Sequence, residues 1–165
     1  MDRMNGGVRH YLAQDRPDRK TQFSWLTKLA YTLGYIHEHR IIIADVRYDN
    51  LLLDDALDVK FCDLGESAMM PLDWHLEGTD DLGFSILTDT GQFGRVMYEV
   101  IAGVRCKFDL TLNRKEPEDL YSCPPRDSLP SPRDIWLGHI IDKCWTQAFK
   151  SARELALELD QERLP

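Results

Sequence analysis

Residues 41–65 read IIIADVRYDNLLLDDALDVKFCDLG, and the fold turns on how that stretch is divided. Ile41-Ile42-Ile43 is a short β-branched run, Leu51-Leu52-Leu53 a second apolar run and Val59-Lys60-Phe61-Cys62 a third. Runs of this kind suit strands. Asp54-Asp55-Ala56 supplies turn chemistry between the last two, which predicts a hairpin. The oxygen-bearing side chains fall where these runs meet loops. Asp45 follows the first run, Asn50 comes five positions later, and Asp63 ends the third. Side chains at the ends of a small sheet can converge on one point. An Asp and an Asn amide oxygen suit a hard cation such as Mg²⁺, which keeps several waters. A separate carboxylate can orient a hydroxyl and accept its proton.

Outward from that centre the period changes to that of a helix. Between Thr21 and Glu38, residues Trp25, Leu26, Leu29, Ala30, Leu33 and Ile36 recur every three or four positions. Before this helix lie one or two predicted helical turns around Val8, Tyr11 and Leu12, opened by Gly6-Gly7, and a charged loop from Asp15 to Lys20. After the hairpin, Gly65 to Asp89 reads as mostly irregular. Phe93, Val96, Met97, Val100 and Ile101 then predict a buried helix stopped by Gly103. Residues 110–130 are rich in Pro, Ser and charge and read as loop. Ser131-Pro132-Arg133-Asp134 has the pattern of a helix start, with a helix predicted to about Trp145. Ser151-Ala152-Arg153-Glu154 has the pattern of a capping box, opening a last helix to about Glu162. The fold class is therefore α+β, mainly α, with a single domain over residues 1–165.

Composition narrows the function. Twenty basic against 28 acidic residues give a formal net charge of −8, and no basic stripe is present. Nucleic acid and anionic lipid surfaces are poor partners for such a chain. No apolar run approaches the length that crosses a bilayer. Cys62, Cys106, Cys123 and Cys144 form no C-x-x-C pair, so the expectation is reduced structural thiols in a cytoplasmic or nuclear protein. The five histidines lack metal-binding spacing and read as structural or solvated, and the four tryptophans read as packing residues.

The residues from Ile43 to Asn50 resemble the catalytic loop of eukaryotic protein kinases, whose usual form is H-R-D-L-K-P-E-N. Asp63-Leu64-Gly65 resembles D-F-G at the family's usual distance from the Asn. Asp89-Thr90-Gly91-Gln92-Phe93-Gly94, followed by Tyr98-Glu99 and Gly103, resembles the buried central helix of the kinase C-terminal lobe. Lys143-Cys144-Trp145 looks like that lobe's late K-C-W helix. The resemblance runs from Gly6 to about Asp160 and, within kinases, is nearest to divergent fungal protein-kinase-like domains. It implies a kinase-like C-terminal lobe with a small β-hairpin, and transfer of the ATP γ-phosphate to a protein hydroxyl, Ser or Thr. By position, Asp45 is the implied catalytic base and Arg47 neutralises the transferred phosphate. Asn50 and Asp63 are the implied magnesium ligands, Leu52 the floor beneath adenine, and Asp89 a structural acceptor for the loop backbone. ATP and Mg²⁺ are the implied cofactors, and a protein substrate or binding partner the implied macromolecule.

Departures from the family pattern are specific. Ile43 and Ala44 stand where His and Arg are usual, Leu64 replaces Phe, and no A-P-E follows. The chain contains no G-x-G-x-x-G and no V-A-I-K, so the N-terminal lobe is expected to be absent from it. These departures favour an alternative, a catalytically inactive pseudokinase-like module that binds protein. A lobe standing alone would expose apolar surface around Leu52 and so call for a covering partner.

Overall fold

The computed structural model describes residues 4–162. In chain order it has β1 (Met4–Gly7), α1 (Val8–Gln14), α2 (Arg19–Glu38), β2 (Ile41–Ile42), β3 (Leu51–Asp54), β4 (Val59–Phe61), β5 (Ala68–Met69), α3 (Ile86–Ala102), α4 (Gly138–Trp145) and α5 (Ala152–Gln161). The expected α+β, mainly helical architecture with its hairpin is what the chain adopts.

The long helix α2 starts two residues before the predicted boundary, because Asp18 caps it by accepting from the Thr21 N–H at 2.7 Å. Its stripe of Trp25, Leu26, Leu29, Ala30 and Leu33 is buried and ends at His37, also buried. The hairpin forms as read, with Leu51 opposite Phe61 and Leu53 opposite Val59. Asp54 closes the turn, its Oδ1 accepting from the Ala56 and Asp58 N–H groups at 2.9 Å each. Those backbone donors hold the Asp54 carboxyl below its ordinary pKa. Two strands escape a reading by composition. β1 pairs with β3, Gly6 opposite Leu53 and Gly7 opposite Leu52, to make a three-stranded sheet. β5, inside the stretch read as irregular, pairs Ala68 with Ile42 and Met69 with Ile41.

Helix α3 runs through the middle of the core. Ser85 and Thr88 form a reciprocal capping box at its start, and Gly103 ends it in the left-handed conformation at φ 68°. Two of its glycines are contact points. A Cβ on Gly91 would lie 2.7 Å from the Phe108 ring, and one on Gly94 would lie 2.6 Å from Cβ of Cys144. Gly94 thus lets α4 pack directly on α3. Gly94→Val is expected to overpack this contact and cost about 3 kcal/mol, the upper end for added methyl groups in a filled core. A urea-denaturation midpoint unchanged from the parent would contradict that close approach.

The predicted helix start at Ser131 is corrected by the structure. Residues 133–137 form successive turns and α4 begins only at Gly138. Ile135 N–H donates to the Pro132 carbonyl and Gly138 N–H to the Ile135 carbonyl, while Leu137 sits at φ 56°. The chain folds back so tightly that a Cβ on Gly138 would strike the Pro132 carbonyl oxygen. At α5, Ser151 caps by accepting from the Glu154 N–H as expected. The Glu154 carboxylate accepts from the Lys150 N–H, one residue earlier than a capping box requires.

Candidate active site

The loop after β2 carries Asp45, and two buried side chains of α3 set its shape. Asp89, fully buried, accepts from the Ile43 N–H through Oδ2 and from the Ala44 N–H through Oδ1, both at 2.8 Å. His37 Nε2 meets Oδ2 of the same carboxylate at 2.9 Å. One turn along α3, Gln92 Oε1 accepts from the Val46 N–H at 3.1 Å and its Nε2 donates to the Ala44 carbonyl at 3.0 Å. The backbone on both sides of Asp45 is therefore pinned to a rigid helix. Ala44 is held at φ 66°, a left-handed conformation uncommon for a residue with a Cβ. Strain of this kind persists only where surrounding bonds over-determine it.

Asp45 emerges from this brace one-quarter exposed. The Asn50 Nδ2 donates to Asp45 Oδ2 at 2.9 Å and to its backbone carbonyl at 3.1 Å. Arg47 Nη2 lies 3.1 Å from the same Oδ2. Asp45 is thus hydrogen-bonded to Asn50 and ion-paired with Arg47, and its Oδ1 takes no hydrogen bond among the described residues. Because Asn50 is bonded through its nitrogen, its amide oxygen is turned elsewhere.

Asp63 reaches the neighbourhood through the backbone. The Cys62 N–H donates to the Asn50 carbonyl at 2.9 Å, one step past the hairpin ladder. Asp63 comes next, exposed and at φ 54°, which its short polar side chain tolerates. It makes no direct side-chain bond to Asp45 or Asn50 among the described residues. Leu52, on the hairpin opposite Gly7, lines an open cleft of about 730 Å³ with Gly7, Arg9, His10 and Arg47. A second groove, about 530 Å³, is lined by Asp45, Arg47, Phe84, Gln92, Phe108 and Tyr121. Arg47 borders both spaces.

The donor set suits magnesium. An exposed Asp carboxylate and a free Asn amide oxygen are hard oxygen ligands, and Mg²⁺ is held by one or two such groups together with phosphate oxygens and water. Among the described residues no group of three or more His, Cys, Asp or Glu could hold a metal ion, so a closed cage of the zinc type is not built here. The thiols do not offer a nucleophile either. Burial pushes Cys106 and Cys123 up to about 11 and raises Cys144 further, away from the thiolate range of reactive cysteines.

His37 and Gln92 are positioning residues that the sequence reading did not single out. A signal existed for each. His37 falls four residues after Leu33 on the apolar stripe of α2, and Gln92 three residues after Asp89 on α3.

Comparison with known proteins agrees with this geometry. The pattern of the family described as "Protein tyrosine and serine/threonine kinase" matches residues 3–157. A putative serine/threonine-protein kinase/receptor of Acanthamoeba polyphaga mimivirus is 28% identical over 156 residues, covering 86% of this chain and 9% of that protein. An atypical protein kinase C of Drosophila melanogaster is 28% identical over 131 residues, covering 68% of this chain and 21% of that protein. A leaf rust 10 disease-resistance locus receptor-like protein kinase-like protein of Arabidopsis thaliana is 28% identical over 187 residues, covering 96% and 26%. The chain thus spans about a tenth to a quarter of the length of these relatives. A family pattern over nearly the whole chain and a loop braced on the central helix lead to one conclusion: the chain belongs to the protein tyrosine and serine/threonine kinase family.

Proposed function

We propose that this chain supplies the catalytic loop for transfer of the ATP γ-phosphate to a Ser or Thr hydroxyl of a protein. The observation that carries the reading is the Asp45–Arg47–Asn50 cluster, Asn50 hydrogen-bonded to and Arg47 ion-paired with Asp45, pinned from behind by Asp89 and Gln92 and set between two grooves. Asp45 Oδ1 accepts the proton of the substrate hydroxyl as its oxygen bonds to the γ-phosphorus and the bond to the β–γ bridging oxygen breaks. Arg47, ion-paired with Asp45, turns its donors toward the transferred phosphoryl oxygens. Asn50 and Asp63 are the residues that would hold Mg²⁺, which when bound neutralises phosphate charge. Leu52 supplies the apolar surface beneath the adenine ring. The phosphate-covering loop and lysine used by kinases come, in this reading, from a further segment or a partner chain. The exposed Leu64, Met69 and Leu72 are surface that such a neighbour would cover.

Ile43 and Ala44 favour a second reading, a protein-binding module without transfer, since Ala rather than Arg stands directly before Asp45. One assay separates the two. The native protein, at the mass found in its own cell, is incubated with γ-labelled ATP, Mg²⁺ and a mixture of Ser- and Thr-containing peptides. Label on peptide that disappears on chelating Mg²⁺ is the expected result. No transfer above background in excess Mg-ATP would leave the binding module.

A further inference from the structure

A cavity of about 230 Å³ between α1, the Tyr48–Asn50 turn and the end of α3 is lined by Arg9, Arg16 and Arg105 together with Tyr48 and Glu99. Three guanidinium groups around one small space stand out in a chain of net charge −8. Arg9 Nη1 lies 3.1 Å from Asp49 Oδ1, and Arg16 Nη2 donates to the Ala102 carbonyl at 2.8 Å. Arg105 Nη2 lies 3.7 Å from Asp49 Oδ2, with its guanidinium 5.1 Å above the Tyr48 ring. Each guanidinium carries five N–H donors in a rigid fork, so these contacts fix the groups and leave donors over.

Glu99 adds a second, independent feature. Its side chain is only 3% exposed, and Oε1 accepts from Arg95 Nε and from the Cys106 N–H, both at 3.0 Å. Oε2 is buried with no hydrogen-bond partner among the described residues. An unpaired buried carboxylate oxygen is costly, and a donor brought by a ligand would satisfy it once the Glu99 side chain turns that oxygen into the cavity. The cavity therefore asks for anionic oxygens on its arginine side and one O–H on its Glu99 side. Carboxylate and sulfate ligands carry no proton at neutral pH. A cationic side chain would supply donors but face three guanidinium groups. A phosphate monoester has several acceptor oxygens, and its second pKa near 6 leaves a proton available close to neutrality.

We propose that this cavity binds a phosphate group in its singly protonated form, with the arginines on the anionic oxygens and the P–O–H donating to Glu99 Oε2. The site uses none of Asp45, Asn50 or Asp63, so it stands whether or not the chain transfers phosphate. The phosphate has two sources, free phosphate or a phosphorylated side chain, with the same chemistry.

Calorimetric titration of the native protein tests this with inorganic phosphate, sulfate at matched ionic strength, a phosphoserine peptide and its unmodified form. Phosphate is expected to bind about tenfold tighter than sulfate, because only phosphate satisfies the Glu99 acceptor. That comparison needs no variant. Arg16→Ala and Arg105→Ala, both at exposed side chains, are each expected to weaken phosphate about tenfold. A phosphopeptide preferred over its unmodified form assigns the site to a protein ligand; phosphate binding without that preference assigns it to free phosphate. Equal affinity for sulfate and phosphate, no saturable binding of phosphate or phosphopeptide, or binding unchanged in both variants would overturn the proposal.

Discussion

Asp89→Ala is expected to destabilise the protein by about 3–5 kcal/mol, the range for removing one partner from a buried charged network. The carboxylate is fully buried and takes bonds from the Ile43 N–H, the Ala44 N–H and His37. Without it, two buried backbone donors lose their acceptor and His37 loses its partner, each at a cost comparable to a lost hydrogen bond. No neighbouring acceptor can replace it, since Gln92 is already committed to Val46 and Ala44. Asp89→Asn should cost less but still heavily, because its amide N–H₂ would face N–H donors. Urea denaturation of the variants reads this directly. A change below about 0.5 kcal/mol, the scale of an ordinary surface substitution, would mean that Asp89 does not brace the loop.

Asp45→Asn is the corresponding test of chemistry. Asparagine keeps the shape and an oxygen for Arg47 and Asn50, so the fold should be retained. It cannot accept the hydroxyl proton. The expected loss is about 10²- to 10⁴-fold in kcat, the range for a positioned general base, with KM for ATP little changed. A variant that transfers phosphate at the parent rate would remove Asp45 from the mechanism.

The sequence showed those parts of the fold that local chemistry decides. The stripe of α2, the buried α3 with its Gly103 stop, and the hairpin around Asp54 all follow from periodicity, caps and turn residues within a short window. β1 and β5 did not, because their pairing partners lie far along the chain. Gly6-Gly7 has no strand propensity and is a strand only because Leu52 and Leu53 lie beside it. Ser131-Pro132 failed for the opposite reason. Its local pattern is a good helix start, and the fold-back of Pro132 over Gly138 overrides it.

The site divides in the same way. Asp45, Asn50 and Asp63 stand out by residue type and spacing at strand ends, and Asp89 through the resemblance of its segment to the central helix of the kinase C-terminal lobe. His37 and Gln92 act only through packing of α2 and α3 against the loop, and nothing in their immediate sequence marks a partner 46 to 52 positions away. The arginines around Glu99 are dispersed from residue 9 to residue 105 and meet only in three dimensions.

In the proposed function the end of the hairpin and the braced loop form one magnesium–phosphate site. The most direct measurement is ATP affinity with and without Mg²⁺, in the full-length protein and in its Asp63→Asn variant. Mg²⁺ should tighten ATP binding by the parent, and the variant should lose about 10- to 100-fold of that gain, as metal sites do when even a supporting group is removed. An identical Mg²⁺ effect in both proteins would contradict that site and place the metal elsewhere.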